Sequence, residues 1–151
     1  MGEKGKDHLS DACRKCGSFC CTYYALPIEI PETKEDYDDL RWFLMHEGNY
    51  ICVEDGAWYL NIGAKCKNLL PEGKCAAYDK RPEICRKHGH KGEACEFFGE
   101  YEYEERFHAP EEIEWYAVRE MGLKKEEVKG WYVHEDEEFW KMIAELSARG
   151  K

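Results

Sequence analysis

Tyr50-Ile51-Cys52-Val53-Glu54-Asp55-Gly56-Ala57-Trp58-Tyr59-Leu60-Asn61-Ile62 is the stretch on which the fold turns. Asp55-Gly56 tolerates the positive φ of a tight two-residue turn, so residues 50–54 and 57–62 read as two antiparallel strands. Upstream, Thr33 with Asp36 three residues on signals a helix start, because a Thr side chain caps the free N–H groups of a first turn. Tyr37, Leu40, Phe43 and Leu44 then recur at helical spacing, and Gly48-Asn49 is expected to end that helix. Downstream, Pro110-Glu111-Glu112 opens a second helix that closes near Gly122, since Pro and acids suit helix starts. Residues 135–148 make a third, with Phe139, Ile143 and Leu146 on one side. Trp131-Tyr132-Val133, between the last two, reads as a short strand. The expected fold class is α+β: a single small domain, mostly helices and loops with a short β-hairpin, organised around a cysteine-bound metal centre. The organisation read from the chain is one domain over 1–151. Within it lie a cysteine-rich metal-binding core at 13–95 and an acidic helical C-terminal extension at 96–151.

The metal centre in this reading comes from the cysteines. The chain has 151 residues, 43% of them hydrophobic, with five Trp and ten Tyr. A chain of this size buries a real core and does not need cross-links merely to fold, so its nine cysteines call for another explanation. No apolar run approaches the ~18 residues of a membrane span. Residues 1–10 are charged and polar, unlike a secretory signal, so a cytoplasmic location is expected. Clustered cysteines in a reducing cytosol are more often metal ligands or redox groups than disulfides. The 36% of charged residues, rich in Glu and Lys, also fits a thermophile, in whose cytosol disulfides do occur.

The formal net charge of -10 argues against nonspecific binding to nucleic acid or to an anionic membrane. The charge is uneven. Residues 62–91 hold eight Lys/Arg against three acids, whereas residues 96–151 hold sixteen acids against eight bases. The basic stretch is the cysteine-rich one, and nearby cations would stabilise an anionic metal–thiolate group. An ordinary solvated face explains the same charges.

The first cysteine group is Cys13-Arg-Lys-Cys16-Gly17-Ser-Phe-Cys20-Cys21. Two cysteines separated by two residues can chelate one metal ion, because the turn between them points both thiolates inward. Gly17 permits a left-handed turn that lets backbone N–H groups face sulfur. The adjacent pair is the oddity. Successive side chains point different ways, so Cys20 and Cys21 fit poorly on one tetrahedral ion. They suit different atoms of a cluster, two separate metals, or one ligand beside one buried bystander; a vicinal disulfide is the plainer alternative. The second group, Cys66, Cys75, Cys85 and Cys95, has gaps of eight, nine and nine residues, too long for a local knuckle. These ligands would have to be gathered by the fold. Residues 64–98 read as loops with one short helix at 81–87, where Pro82 sits well in a first turn. Cys52 lies inside a predicted strand and reads as core, since free cysteine packs as a small hydrophobe. His88 and His90 are nitrogen-ligand candidates in what otherwise reads as a polar loop.

These motifs resemble the YkgJ-type CxxCxxCC family of zinc- or iron-chelating domains, some members of which are described as iron–sulfur proteins. The likeness rests on Cys13-x-x-Cys16-Gly17 with Cys20-Cys21. It rests also on Cys66-(x8)-Cys75-Ala-Ala-Tyr78-Asp79-Lys-Arg81-Pro82-Glu-Ile-Cys85-Arg86. Many members have one residue between the Gly and the double cysteine; here Ser18 and Phe19 both intervene. The domain is similar to the cysteine-rich part of flagellin lysine methylases, although the chain is short for a complete enzyme of that kind. Arg81 and Arg86 would donate to thiolates or hold carboxylates around the site. Pro82 would set the turn that presents Cys85, and Tyr78 would be packed core.

The ligand candidates are therefore Cys13, Cys16, Cys20, Cys21, Cys66, Cys75, Cys85 and Cys95. An all-thiolate set with an adjacent pair favours an iron–sulfur cluster, [4Fe–4S] first, serving electron transfer, oxidant sensing or a partner enzyme. The alternative is structural zinc in an interaction module, since closed zinc sites stabilise loop-rich segments. An oxidoreductase component is conceivable, but no zinc-protease helix, phosphate loop or dinucleotide fingerprint is present. A protein partner for the acidic helices stays open; nucleic acid and membrane are not expected.

Overall fold

The computed structural model describes residues 21–87 and 103–149. Its elements run β1 (Tyr23–Ile28), α1 (Lys34–Leu44), β2 (Tyr50–Glu54), β3 (Ala57–Gly63), α2 (Glu83–Lys87), β4 (Glu105–Phe107), α3 (Pro110–Met121) and α4 (Glu137–Arg149). Short 3₁₀ turns lie at Tyr78–Lys80, Lys125–Val128 and Tyr132–Glu135. The class is α+β, as expected. The hairpin, however, is the middle of a four-stranded antiparallel sheet of order β1-β3-β2-β4. Trp131-Tyr132-Val133 is not a strand. Tyr132–Glu135 closes into a 3₁₀ turn that buries Val133, whose N–H goes to the Glu114 carboxylate rather than to a strand.

Local chemistry sets the hairpin and the helix ends. Asp55 and Gly56 take φ 50° and 79°, the left-handed pair that matches strand twist. Thr33 Oγ1 accepts the Asp36 N–H at 3.1 Å and Asp36 Oδ2 accepts the Thr33 N–H at 2.9 Å, a reciprocal capping box. The helix stops at Leu44, a turn earlier than Gly48-Asn49. Those two residues dock the connection onto the sheet instead. Asn49 donates to the Phe43 carbonyl at 3.0 Å and accepts the Gly63 N–H at 3.0 Å. A Cβ on Gly63 would stand 2.8 Å from the Gly48 Cα, so the approach requires glycine. Gly122 ends α3 in the left-handed conformation at φ 64°.

Alternation along the sheet sends Ile51, Val53, Trp58, Leu60 and Phe107 to one face. There they meet Tyr37, Leu40 and Leu44 of α1 and Ile113, Ala117 and Val118 of α3. Val128, Trp131, Val133 and Phe139 extend the core toward the C-terminus. The buried spacing of α1 (37, 40, 41, 44) includes a charge. Arg41 Nε lies 2.6 Å from Glu114 Oε2 of α3, and the Glu114 side chain is fully buried. The other Glu114 oxygen accepts the Val133 N–H at 2.8 Å. Arg41 also reaches Asp38 at 2.6 Å, and Asp38 accepts the Trp131 indole N–H at 3.0 Å. One ion pair thus ties α1, α3 and the 3₁₀ segment together. No helix among the described residues is long and apolar enough to cross a membrane.

Removing one partner of a buried ion pair strands the other charge, at about 3–5 kcal/mol. Glu114→Ala should lower the urea unfolding free energy by that order. Arg41→Met with Glu114→Leu should recover part of the loss. Burial, with Tyr116 and Glu120 nearby, pushes the Tyr37 phenol from 10.0 to about 12. Below pH 10 the proton is held in both states and the contribution is full. Above it the unfolded phenol ionises first, so stability should fall between pH 10 and 12. Unfolding monitored by circular dichroism across that window should show the decline, and Tyr37→Phe should flatten it.

Candidate metal centre

Cys13, Cys16, Cys20 and Cys95 lie outside the described residues, as do His88 and His90. Cys21, half-buried, is where the described chain begins. Just beyond it, Tyr23 pairs with Gly63 at the end of the β1–β3 ladder. The pairing does not stop there. The Ala64 N–H donates to the Thr22 carbonyl at 2.9 Å, and the Cys66 N–H donates to the Cys21 carbonyl at 2.7 Å. Two residues advance on one side for one on the other, as in a bulge, which re-aims side chains at the end of a ladder. The last cysteine of the first motif is thereby bonded, backbone to backbone, to the first cysteine of the second.

From Cys66 the chain turns at once. The Leu69 N–H returns to the Cys66 carbonyl at 3.2 Å, and the Asn68 N–H points at Cys66 Sγ, 3.5 Å away. A backbone N–H aimed at sulfur is the kind of donor that supports a metal-bound thiolate. Pro71 and Gly73 then make a tight reversal. Gly73 takes φ 86°, its N–H donates to the Leu70 carbonyl at 2.9 Å, and the Leu70 N–H donates to the Lys74 carbonyl at 2.8 Å. Cys75 comes to lie opposite Leu69, and the Ala76 N–H donates to the Asn68 carbonyl at 2.7 Å. Asn68 therefore serves both cysteines: its N–H faces the Cys66 sulfur and its carbonyl holds the residue after Cys75.

The Tyr78-x-x-Arg81-Pro82 string is a second clasp. The Arg81 guanidinium lies over the Tyr78 ring at 3.6 Å, and Arg81 Nε donates to the Tyr78 carbonyl at 2.9 Å. The residue before a proline is held extended, and Arg81 has φ -62° and ψ 140°. The chain then enters α2, whose middle residue is Cys85. The helix starts at Glu83, two residues later than expected, with Pro82 just ahead of it. These contacts give Arg81 a structural partner in Tyr78. Tyr78 itself is only half-buried and is not packed core: it forms the floor of an arginine stack on the surface.

No side chain from Ala64 through Cys85 is buried. Cys66 and Cys85 are exposed, Cys21 and Cys75 half-buried, and Lys65, Lys67, Lys74 and Lys80 are exposed around them. Among the described residues no three His, Cys, Asp or Glu side chains form a group that could hold a metal ion. The described chain thus joins Cys21 to Cys66 and links Cys66 to Cys75 through Asn68, while Cys85 sits on its own short helix. Cys52 belongs to the core, as expected, 4% exposed, with the Asn61 side-chain amide 3.4 Å from its sulfur. Asn68 went unnoticed in the sequence. Its position two residues after a cysteine, where a backbone N–H can turn back to sulfur, is the signal that marks it.

No curated protein and no solved structure matches the chain. A family model does, over residues 12–127, a span that runs past both cysteine groups and through β4 and α3. The chain therefore belongs to the CxxCxxCC family, described as "Putative zinc- or iron-chelating domain".

Proposed function

We propose that the chain holds one iron–sulfur cluster, of the [4Fe–4S] type, on cysteine thiolates drawn from both motifs. It acts in the reducing cytosol as an electron-transfer or redox-sensing component for a partner enzyme. The observation that carries this reading is the Cys66 N–H to Cys21 carbonyl bond. It makes neighbours of cysteines 45 positions apart in the numbering, as a single shared centre needs and two independent local sites do not. The donor chemistry fits: thiolates suit zinc and iron–sulfur clusters, and the Asn68 N–H is directed at the Cys66 sulfur. When bound, the cluster would supply one-electron chemistry. The chain's own part is to gather the sulfurs, direct N–H groups at them and surround them with lysines. Cys13, Cys16, Cys21, Cys66, Cys75 and Cys85 lead the ligand candidates, with Cys20 and Cys95 completing the set.

Structural zinc is the second reading, favoured by the absence of any buried side chain between Ala64 and Cys85. A segment with no fully buried apolar side chain is one that a structural metal would stabilise.

Anaerobic isolation separates the two readings. A cluster gives brown protein with iron and acid-labile sulfide in equal amounts; zinc gives colourless protein with neither. Cys66→Ser and Cys21→Ser should each lower the bound metal several-fold, and Cys52→Ala should leave it unchanged. If Cys66→Ser keeps full metal while Cys21→Ser loses it, the single shared centre is wrong. Removing the metal with a chelator should expose residues 64–87 to limited proteolysis and leave the sheet and α3 resistant, because only the latter rest on the apolar core.

A further inference from the structure

A groove of about 270 Å³ lies between edge strand β4 and helix α3. Its volume falls below the usual range for a small-molecule pocket and suits one long side chain. The floor is aromatic. Phe107 and Tyr116 meet edge-on with ring centres 5.2 Å apart, and Trp115, 40% exposed, continues the surface and stacks near Phe139. The rim is mostly acidic. Glu112 is occupied by the His108 N–H, whereas Glu105 and Glu120 are exposed and have no ion pair or hydrogen bond among the described residues. Both act on the same phenol: after burial, Glu120 and then Glu105 and Glu104 hold Tyr116 above its ordinary ionisation range. Arg119 is the one cation lining this space whose side chain is not drawn away. Arg106 lies on the opposite side of the strand, over Tyr50 and Tyr103. A ring face beside carboxylates is a cation's environment, from the ring quadrupole and the opposite charge alike.

We infer that this groove docks a lysine- or arginine-bearing segment of a protein partner, one cationic side chain lying on Trp115 and Tyr116 between Glu105 and Glu120. Charge complementarity decides the occupant. The groove belongs to the stretch 96–151, with sixteen acids against eight bases, so a basic segment is drawn to it and an acidic or purely apolar one is not. The residues lining the groove include no cysteine, and its test does not depend on which metal the protein holds.

The test titrates the full-length, metal-loaded protein with a synthetic peptide of alternating lysine and glycine, followed by calorimetry. The acetyl-lysine version of the peptide serves as the comparison. The peptide should bind, and acetylation should abolish binding. Glu105→Gln with Glu120→Gln should weaken it at least tenfold. Glu138→Gln with Glu145→Gln, which removes the same charge from exposed positions on α4, should change it less than twofold. Circular dichroism checks that both variants are folded. Trp115→Ala should weaken binding without altering net charge. Equal losses in the two charge variants would reduce the effect to diffuse attraction and overturn the proposal. So would equal binding of the acetylated peptide, or no binding at all.

Discussion

The register of β3 is the constraint from which most of this molecule follows. It is paired on both sides, to β1 and to β2, and a shift of one residue would turn every side chain to the opposite face. The observed register directs Trp58 and Leu60 into the core beneath α1 and α3. It sets Gly63 against Gly48, where no side chain could fit. Continued beyond the strand ends, it delivers Cys66 to the backbone of Cys21. The aromatic core and the meeting of the two cysteine motifs are thus consequences of one alignment. It is fixed at one end by the Asp55-Gly56 turn and along its length by the packing of Trp58 and Leu60 against the helices.

What the sequence made legible was what short-range chemistry decides. Asp-Gly between two apolar runs, Thr33 with Asp36, and Pro110 with Gly122 are each self-contained instructions, and each is obeyed. The edge strands were harder. β1 contains Pro27, a residue tolerated only at a sheet edge, directly after a cysteine cluster that dominates the reading. β4 is three residues long, too short for any periodicity to register. Its existence depends on β2 having a free side to pair. Arg41 and Glu114 were invisible for a different reason: each is a charge at a position that helical spacing assigns to the core, and only together are they compatible with burial.

The candidate site divides in the same way. Cysteine spacing pointed to metal chelation, as the family match does, because four cysteines within nine residues exceed what a redox dithiol needs. It could not say that Cys21 and Cys66 are neighbours, since that follows from a ladder between segments far apart in the chain. Nor did it assign Arg81. A guanidinium in a cysteine-rich stretch suggests a thiolate or carboxylate partner; the spacing gave no sign that it also lies over the Tyr78 ring and donates to the Tyr78 carbonyl. The proline that follows fixes the backbone in the extended form that this clasp needs.

The two halves of the chain are ordered by different physics, and this bears on how they act together. The sheet and its helices bury a continuous aromatic and aliphatic cluster, so their stability is set by apolar area and by one ion pair. The stretch from Ala64 to Cys85 has no fully buried side chain, only half-buried ones such as Leu69 and Leu70; its turns rest largely on backbone hydrogen bonds that water can compete for. A segment in that condition is responsive to whatever occupies its sulfurs, because metal binding and ordering are then a single free-energy change. Among the described residues the stretch is tied to the sheet by its continuation from β3 and by bonds from Ala64 and Cys66 to the Thr22 and Cys21 carbonyls. Those bonds place the end of β1 next to the stretch whose order would depend on what its sulfurs hold, while the apolar core lies behind it.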